Sequence, residues 1–190
     1  MNIKGIYSVN QGEREIFVTN LAHVYDEVRS IIFETQIYLK PETHANGVGG
    51  IKEALRDKFL EKGWTPEILI ANPAYSSGGT KIDFSKRLHN GFGIAVETQF
   101  GYESRIQDDF SRLQEAIVRK EFNVGIVIVP MHEISQYLTD RVATFEAAIR
   151  TYEGYPASYR DLRAVLIGVT ADGLGEQPLK KQRRRMRQPR

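Results

Sequence analysis

Three polar residues in the middle of the chain have a spacing suited to hydrolysis at phosphorus: Asp83 in KIDF, and Glu97 and Gln99 in GIAVETQF. If both segments are strands, the two-residue period turns Glu97 and Gln99 to one face and Thr98 to the other. An Asp and a Glu converging from paired strands make a hard-oxygen site for Mg²⁺, which keeps several waters and takes phosphate oxygens as its remaining ligands. Such a metal can polarise a phosphodiester, help generate hydroxide and stabilise the leaving oxygen. The pattern is loose, and the same residues also fit ordinary exposed strand positions. The surroundings of Glu97 favour a site, because an acid embedded in an apolar strand needs a partner or a metal to offset desolvation. Other chemistries are poorly supported: there are no cysteines, His23, His44, His89 and His132 form no ligand pair, and GVGGIKE lacks the lysine-serine ending of a phosphate loop.

The elements that would carry these residues follow from periodicity. Segments 5–9 and 15–19 are β-prone and suggest an edge hairpin. Asn20 is placed to cap a helix over about 21–38, in which Val24, Val28, Ile31 and Ile32 share a face. Ile51, Leu55 and Phe59 define a second amphipathic helix that stops at Gly63. After a loop with Pro73 and SSGG, Asp83 and Glu97 fall on two strands joined through a turn at Asn90-Gly91. A helix over 103–121 with Ile106, Phe110, Leu113 and Ile117 on one face follows, then the apolar strand 124–130, a helix over about 132–151, and a second buried strand at 163–170. Mixed strands with helices on both faces predict an α/β sandwich.

Composition fits one domain: 190 residues, 41% hydrophobic and 26% charged, with no apolar run long enough to span a bilayer and no apolar leader at the start. The expectation is a soluble cytoplasmic protein with one folded unit over 1–173 and a basic tail over 174–190. The net charge of +2 is unevenly spread, since the last eleven residues hold seven Lys/Arg and no acid, leaving 19 basic against 24 acidic residues before them. Such a tail suits long-range attraction to phosphates, or it is simply a solubilising end. Lys81, Lys86 and Arg87 flank Asp83 and are candidate backbone contacts to DNA. Ser158 and Arg160, in the loop TYEGYPASYRDLR, and the polar start of the helix after Gly101 are candidates for reading base edges.

The series IDFSKR, IAVETQFGY, VGIVIVPMHEIS and the Tyr-rich stretch ending in RAVLIGV resembles the BglII and BstYI group of type II restriction endonucleases. Upstream, IKEALRDKFLEKGW is similar to the helix preceding the catalytic hairpin of that group, and IYSVNQGEREIFVTNLAHVYDEV is similar to the BstYI start, so the likeness runs to about residue 171. The resemblance implies a restriction-endonuclease-like mixed β-sheet flanked by helices on both faces. It implies that Asp83 and Glu97 are the metal-binding carboxylates of a PD-(D/E)xK-type site, and that Gln99 replaces the usual lysine. An amide has no useful basicity, so Gln99 would orient the attacking water rather than deprotonate it. Glu53 is a candidate to complete or support the metal shell, with a solvent-facing helix glutamate as the other reading. The resemblance further implies Mg²⁺-dependent cleavage of double-stranded DNA at a short palindrome, GATC-centred and with 5′ overhangs, by a twofold homodimer, alongside a cognate DNA methyltransferase. One departure is the long gap from Asp83 to Glu97, where LHNGF looks inserted. The rival classes are a PD-(D/E)xK nuclease for repair or structured DNA and a non-catalytic DNA-binding protein.

Overall fold

The computed structural model describes residues 1–70 and 80–176. The loop expected around Pro73 and the basic run from 177 onward lie outside the described residues. Six strands form a mixed sheet in the order β1-β7-β6-β5-β4-β3: β1 (Asn2–Val9), β3 (Thr65–Ile70), β4 (Thr80–Arg87), β5 (Gly93–Thr98), β6 (Val124–Pro130) and β7 (Ala164–Thr170). β5, β6 and β7 run parallel, whereas β3, β4 and β1 are antiparallel to their neighbours. A small second sheet pairs β2 (Tyr38–Leu39) with β8 (Gly173–Leu174), straddling the boundary expected at 173.

The apolar runs of β6 and β7 are buried on both faces because helices cover each side. Val124, Ile126, Ile128, Val165, Ile167 and Val169 pack in one layer with α2 (Ala22–Glu34) and α3 (Val48–Glu61). Val127, Val129, Ala164 and Leu166 pack in the other with α4 (Ile106–Val118) and α6 (Phe145–Gly154). This alternation at period two is what a continuous apolar strand requires between two helical layers. Gly63, with φ 74°, ends α3 as expected: the Trp64 N–H returns to the Phe59 carbonyl at 3.0 Å, a closure that needs the left-handed residue. The Asn90-Gly91 turn also forms, with Gly91 at φ 86° and the Gly91 N–H bonded to the Leu88 carbonyl, so the extra residues extend the hairpin without disturbing its strands.

Three local expectations are corrected. Segment 15–19 is not a strand but part of helix α1 (Gly12–Val18), whose Ile16 is fully buried; the alternation EIFVT was too short to separate one helical turn from a strand. Asn20 does not cap α2; it takes φ 57° in the tight junction between α1 and α2, and α2 ends at Glu34. The helix expected over 132–151 is two: α5 (His132–Ser135) and α6, which starts behind Thr144, whose hydroxyl accepts the Ala147 N–H. Strand β3 was not foreseen, its Pro66 being acceptable at the sheet edge. No helix among the described residues is long and apolar enough to cross a membrane.

Candidate active site

The β4–β5 register sets Phe84 opposite Val96, so Asp83 and Glu97 stand one step further along the same hairpin. The regular alternation of β4 breaks at Asp83: Ile82 packs in the α4 layer and Phe84 in the α3 layer, and facing Glu67 on β3 has φ 52°. The break leaves Asp83 half-buried on β4. Its Oδ2 accepts two hydrogen bonds from Thr98, one from the backbone N–H at 2.9 Å and one from the hydroxyl. Thr98 was expected to point away from Glu97, and its hydroxyl is committed to Asp83.

Glu97 is 3% exposed at the end of β5, and its Oε1 accepts the Nε–H of Arg112 at 2.9 Å. Arg112 also pairs with Asp109, one turn earlier on α4. The Gln99 amide is held at both ends: Nε2 donates to Asp109 Oδ2, and Oε1 accepts the Gly101 N–H at 2.9 Å. Burial first, then the charges of Asp83 and Asp109, push the Glu97 carboxyl up from 4.5 to about 8, opposed by Arg112. Burial likewise raises Asp109 to about 6, with Arg112 the main opposing influence. Excess negative charge at a buried point is what a divalent cation relieves.

Two clefts open from this point. One, of about 270 Å³ on the α4 side, is lined by Lys52, Asp83, Glu97, Gln99, Asp109 and Arg112 among others. The other, of about 380 Å³, lies beneath α3 and is lined by Lys52, Glu53, Arg56, Glu67, Asp83 and Thr98 among others. Lys52, Asp83 and Thr98 border both, so the two form one groove across the end of the hairpin. Glu53 therefore lies near Asp83, on the α3 side and not in the cleft that holds Glu97. Among the described residues no three Asp, Glu, His or Cys side chains form a protein-only metal cage. Magnesium does not need one, since one or two carboxylates plus waters and substrate oxygens suffice. The carboxylates of Asp83 and Glu97 fit that requirement.

The remaining candidates sit elsewhere. Lys81 pairs with Glu67 at 3.0 Å on the outer edge of the α3-side cleft. Lys86 is bound by Glu27 at 2.6 Å and by the Lys62 carbonyl, and Arg87 covers the Phe122 ring, so the structure does not bring either to the groove. Ser158 and Arg160 are exposed on a loop fastened to Gln114 of α4, whose side chain bonds the Ser158 carbonyl and the Asp161 N–H. Sequence reasoning missed Lys52, Asp109 and Arg112. A signal existed for Asp109, which falls three residues after Ile106 within the apolar stripe of α4 and is 4% exposed. For Lys52 and Arg112 there was none beyond ordinary helix charges.

A family model described as restriction endonuclease BamHI matches residues 4–172. The chain belongs to the BamHI restriction endonuclease family. It is accordingly a type II restriction endonuclease, a hydrolase that cleaves DNA, which decides against the non-catalytic alternative. Among relatives, the type II restriction enzyme OkrAI of Oceanobacter kriegii is 25% identical over 149 residues, covering 76% of each chain. Among solved structures, BglII complexed with a DNA 16-mer superposes with a TM-score of 0.73 at 19% identity, over 90% of this chain and 79% of that one. Free BglII gives 0.62 at 17% identity, over 90% and 81%. The likeness to these structures is one of fold, the mixed sheet flanked by helices described above.

Proposed function

We propose that this family member cuts both strands of a short palindromic DNA site in a Mg²⁺-dependent reaction, with Asp83, Glu97 and Gln99 as its reacting constellation. The observation that supports this most is the convergence of Asp83 and the buried Glu97 on one groove, beside an amide held at both ends. Asp83 and Glu97 would hold the cation, which when bound supplies Lewis-acid polarisation of the phosphate and neutralises charge on the leaving oxygen. Thr98 fixes Asp83 by two bonds, so that carboxylate keeps its orientation as substrate enters. Gln99 retains one N–H and one lone pair for a water, which it orients without taking its proton. Lys52 stands where a scissile strand crossing the groove would pass, and as a compact ammonium it attracts phosphate without reading sequence.

The target is proposed to be GATC-centred and the products to carry 5′ overhangs. Symmetric cutting of a palindrome calls for a twofold homodimer, each protomer presenting one groove to one strand, and a companion methyltransferase to protect host DNA. The experiment is to incubate the protein with unmethylated plasmid DNA in Mg²⁺ or EDTA and to sequence the cut ends. Discrete fragments in Mg²⁺ alone, sharing one GATC-containing palindrome, are expected. Cleavage by a Glu97→Ala variant at the wild-type rate would refute the site assignment, and cut ends without a common palindrome would refute the target.

A further inference from the structure

We infer that Asp109 and Arg112, one turn apart on α4, form a positioning pair that fixes the two β5-end groups of the reaction, Arg112 acting on Glu97 and Asp109 on Gln99. This rests on the assignment of Glu97 and Gln99 proposed above and adds the device that orients them.

The bonds form a chain. The Gly101 N–H donates to Gln99 Oε1, Gln99 Nε2 donates to Asp109 Oδ2, Asp109 Oδ1 pairs with Arg112 Nη2, and Arg112 Nε donates to Glu97 Oε1. A free glutamine amide can turn over and exchange its oxygen and nitrogen. An ionised carboxylate only accepts hydrogen bonds and a backbone N–H only donates, so Asp109 and Gly101 dictate, from opposite ends, which way the Gln99 amide lies. Its remaining N–H and lone pair therefore keep fixed directions toward the groove. The planar guanidinium of Arg112 reaches two carboxylates at once, a geometry that a single ammonium does not reproduce.

The location argues against a purely structural role. Asp109 occupies a position on the apolar stripe of α4 where an aliphatic side chain would avoid the desolvation of a carboxylate. A buried ion pair is weak support for stability, yet this one touches both reacting-side groups.

The test uses Asp109→Asn, Arg112→Ala and Arg112→Lys in the full chain, with Glu97→Ala as a control. Single-turnover cleavage of a fragment carrying the mapped cut site is measured in Mg²⁺, along with DNA affinity in Ca²⁺. Asparagine carries both a donor and an acceptor, so in Asp109→Asn the amide orientation is set by the Gly101 N–H alone. Asp109→Asn and Arg112→Ala should each lower the cleavage rate about 10- to 100-fold with DNA affinity nearly unchanged. Millimolar guanidinium, but not an equal ionic strength of NaCl, should restore much of the Arg112→Ala rate and none of the Glu97→Ala rate, and Arg112→Lys should remain impaired. If Arg112→Ala does not fold, Asp109→Asn decides alone. Wild-type rates in both variants beside an inactive Glu97→Ala would overturn the pair and leave the site standing, as would a loss confined to DNA affinity. An active Glu97→Ala would instead remove the site on which the pair rests.

Discussion

In the proposed reaction Glu97 holds the cation while its burial costs stability, and replacing it by glutamine separates the two. Burial and the neighbouring charges of Asp83 and Asp109 raise its carboxyl from 4.5 to about 8 in the folded chain without a cation. Between those values the folded state holds a proton that the unfolded chain has released. Stability from this group is therefore greatest below pH 4.5 and declines as pH rises toward 8, by about 1.4 kcal/mol for each pH step. At pH 7 the accumulated cost is on the order of 3 kcal/mol. Glu97→Gln keeps the shape and an acceptor for the charged Arg112 guanidinium and has no proton equilibrium to shift, so a net gain of about 3 kcal/mol at pH 7 is expected. Urea unfolding in EDTA at pH 6, 7 and 8 should show the variant more stable than wild type by a margin that widens with pH, while cleavage is lost. Magnesium should narrow that margin by stabilising the wild type, most strongly at pH 8, because the cation competes with the proton for Glu97. A variant less stable than wild type throughout, or a margin independent of pH, would refute the electrostatic account.

Lys52→Met should reduce single-turnover cleavage about 10- to 100-fold with an unchanged melting temperature, since its ammonium borders the groove rather than the core; equal rates would remove it from the phosphate path. Phe59→Ala should destabilise the protein by about 3–5 kcal/mol in urea unfolding, because Phe59 is fully buried and stacks on Phe84 at 4.4 Å, beside Asp83; a loss below about 1 kcal/mol would mean the layer repacks freely. Deleting 180–190, with its seven cationic side chains, should weaken DNA binding and flatten its salt dependence by about 0.9 for each phosphate that the tail neutralises, with the cut sequence unchanged; altered specificity would show that the tail reads bases.

Legibility in the sequence followed the strength of the local physical signal. Strands β6 and β7 and helix α4 were plain because their apolar patterns extend over many residues. Gly63 and Asn90-Gly91 were plain because only a left-handed backbone closes those turns. Segment 15–19 misled because five residues do not separate a strand from one turn of helix, and burial of Ile16 settled it as α1. Of the proposed site, Asp83, Glu97 and Gln99, which line one groove, were suggested by strand period and the apolar setting of Glu97. Lys52 and Arg112 could not, because each looks like an ordinary helix charge until α3 and α4 are laid on opposite faces of the sheet. Lys86 and Arg87 are close to Asp83 in sequence but sit several strand residues away, at about 3.3 Å per residue, and face other partners.

The position of the groove follows from the change of strand direction at β5. On one side β5 pairs antiparallel with β4 through a short hairpin, and on the other it runs parallel to β6. A parallel neighbour cannot be reached by a tight turn, so after Thr98 the chain must leave the sheet, cross its face as α4 and return. The carboxyl end of β5 is thereby left without a covering turn, and β4 brings Asp83 to that same end because it runs the opposite way. The crossing helix arrives with its apolar stripe on the sheet, and Asp109, within that stripe, is carried to the spot where β5 ends. Arg112 follows one turn later and reaches Glu97. An aliphatic residue at 109 would satisfy the helix equally well and leave the Gln99 amide held only by the Gly101 N–H. The topology opens the groove, and the polar interruption of α4 fixes what lines it.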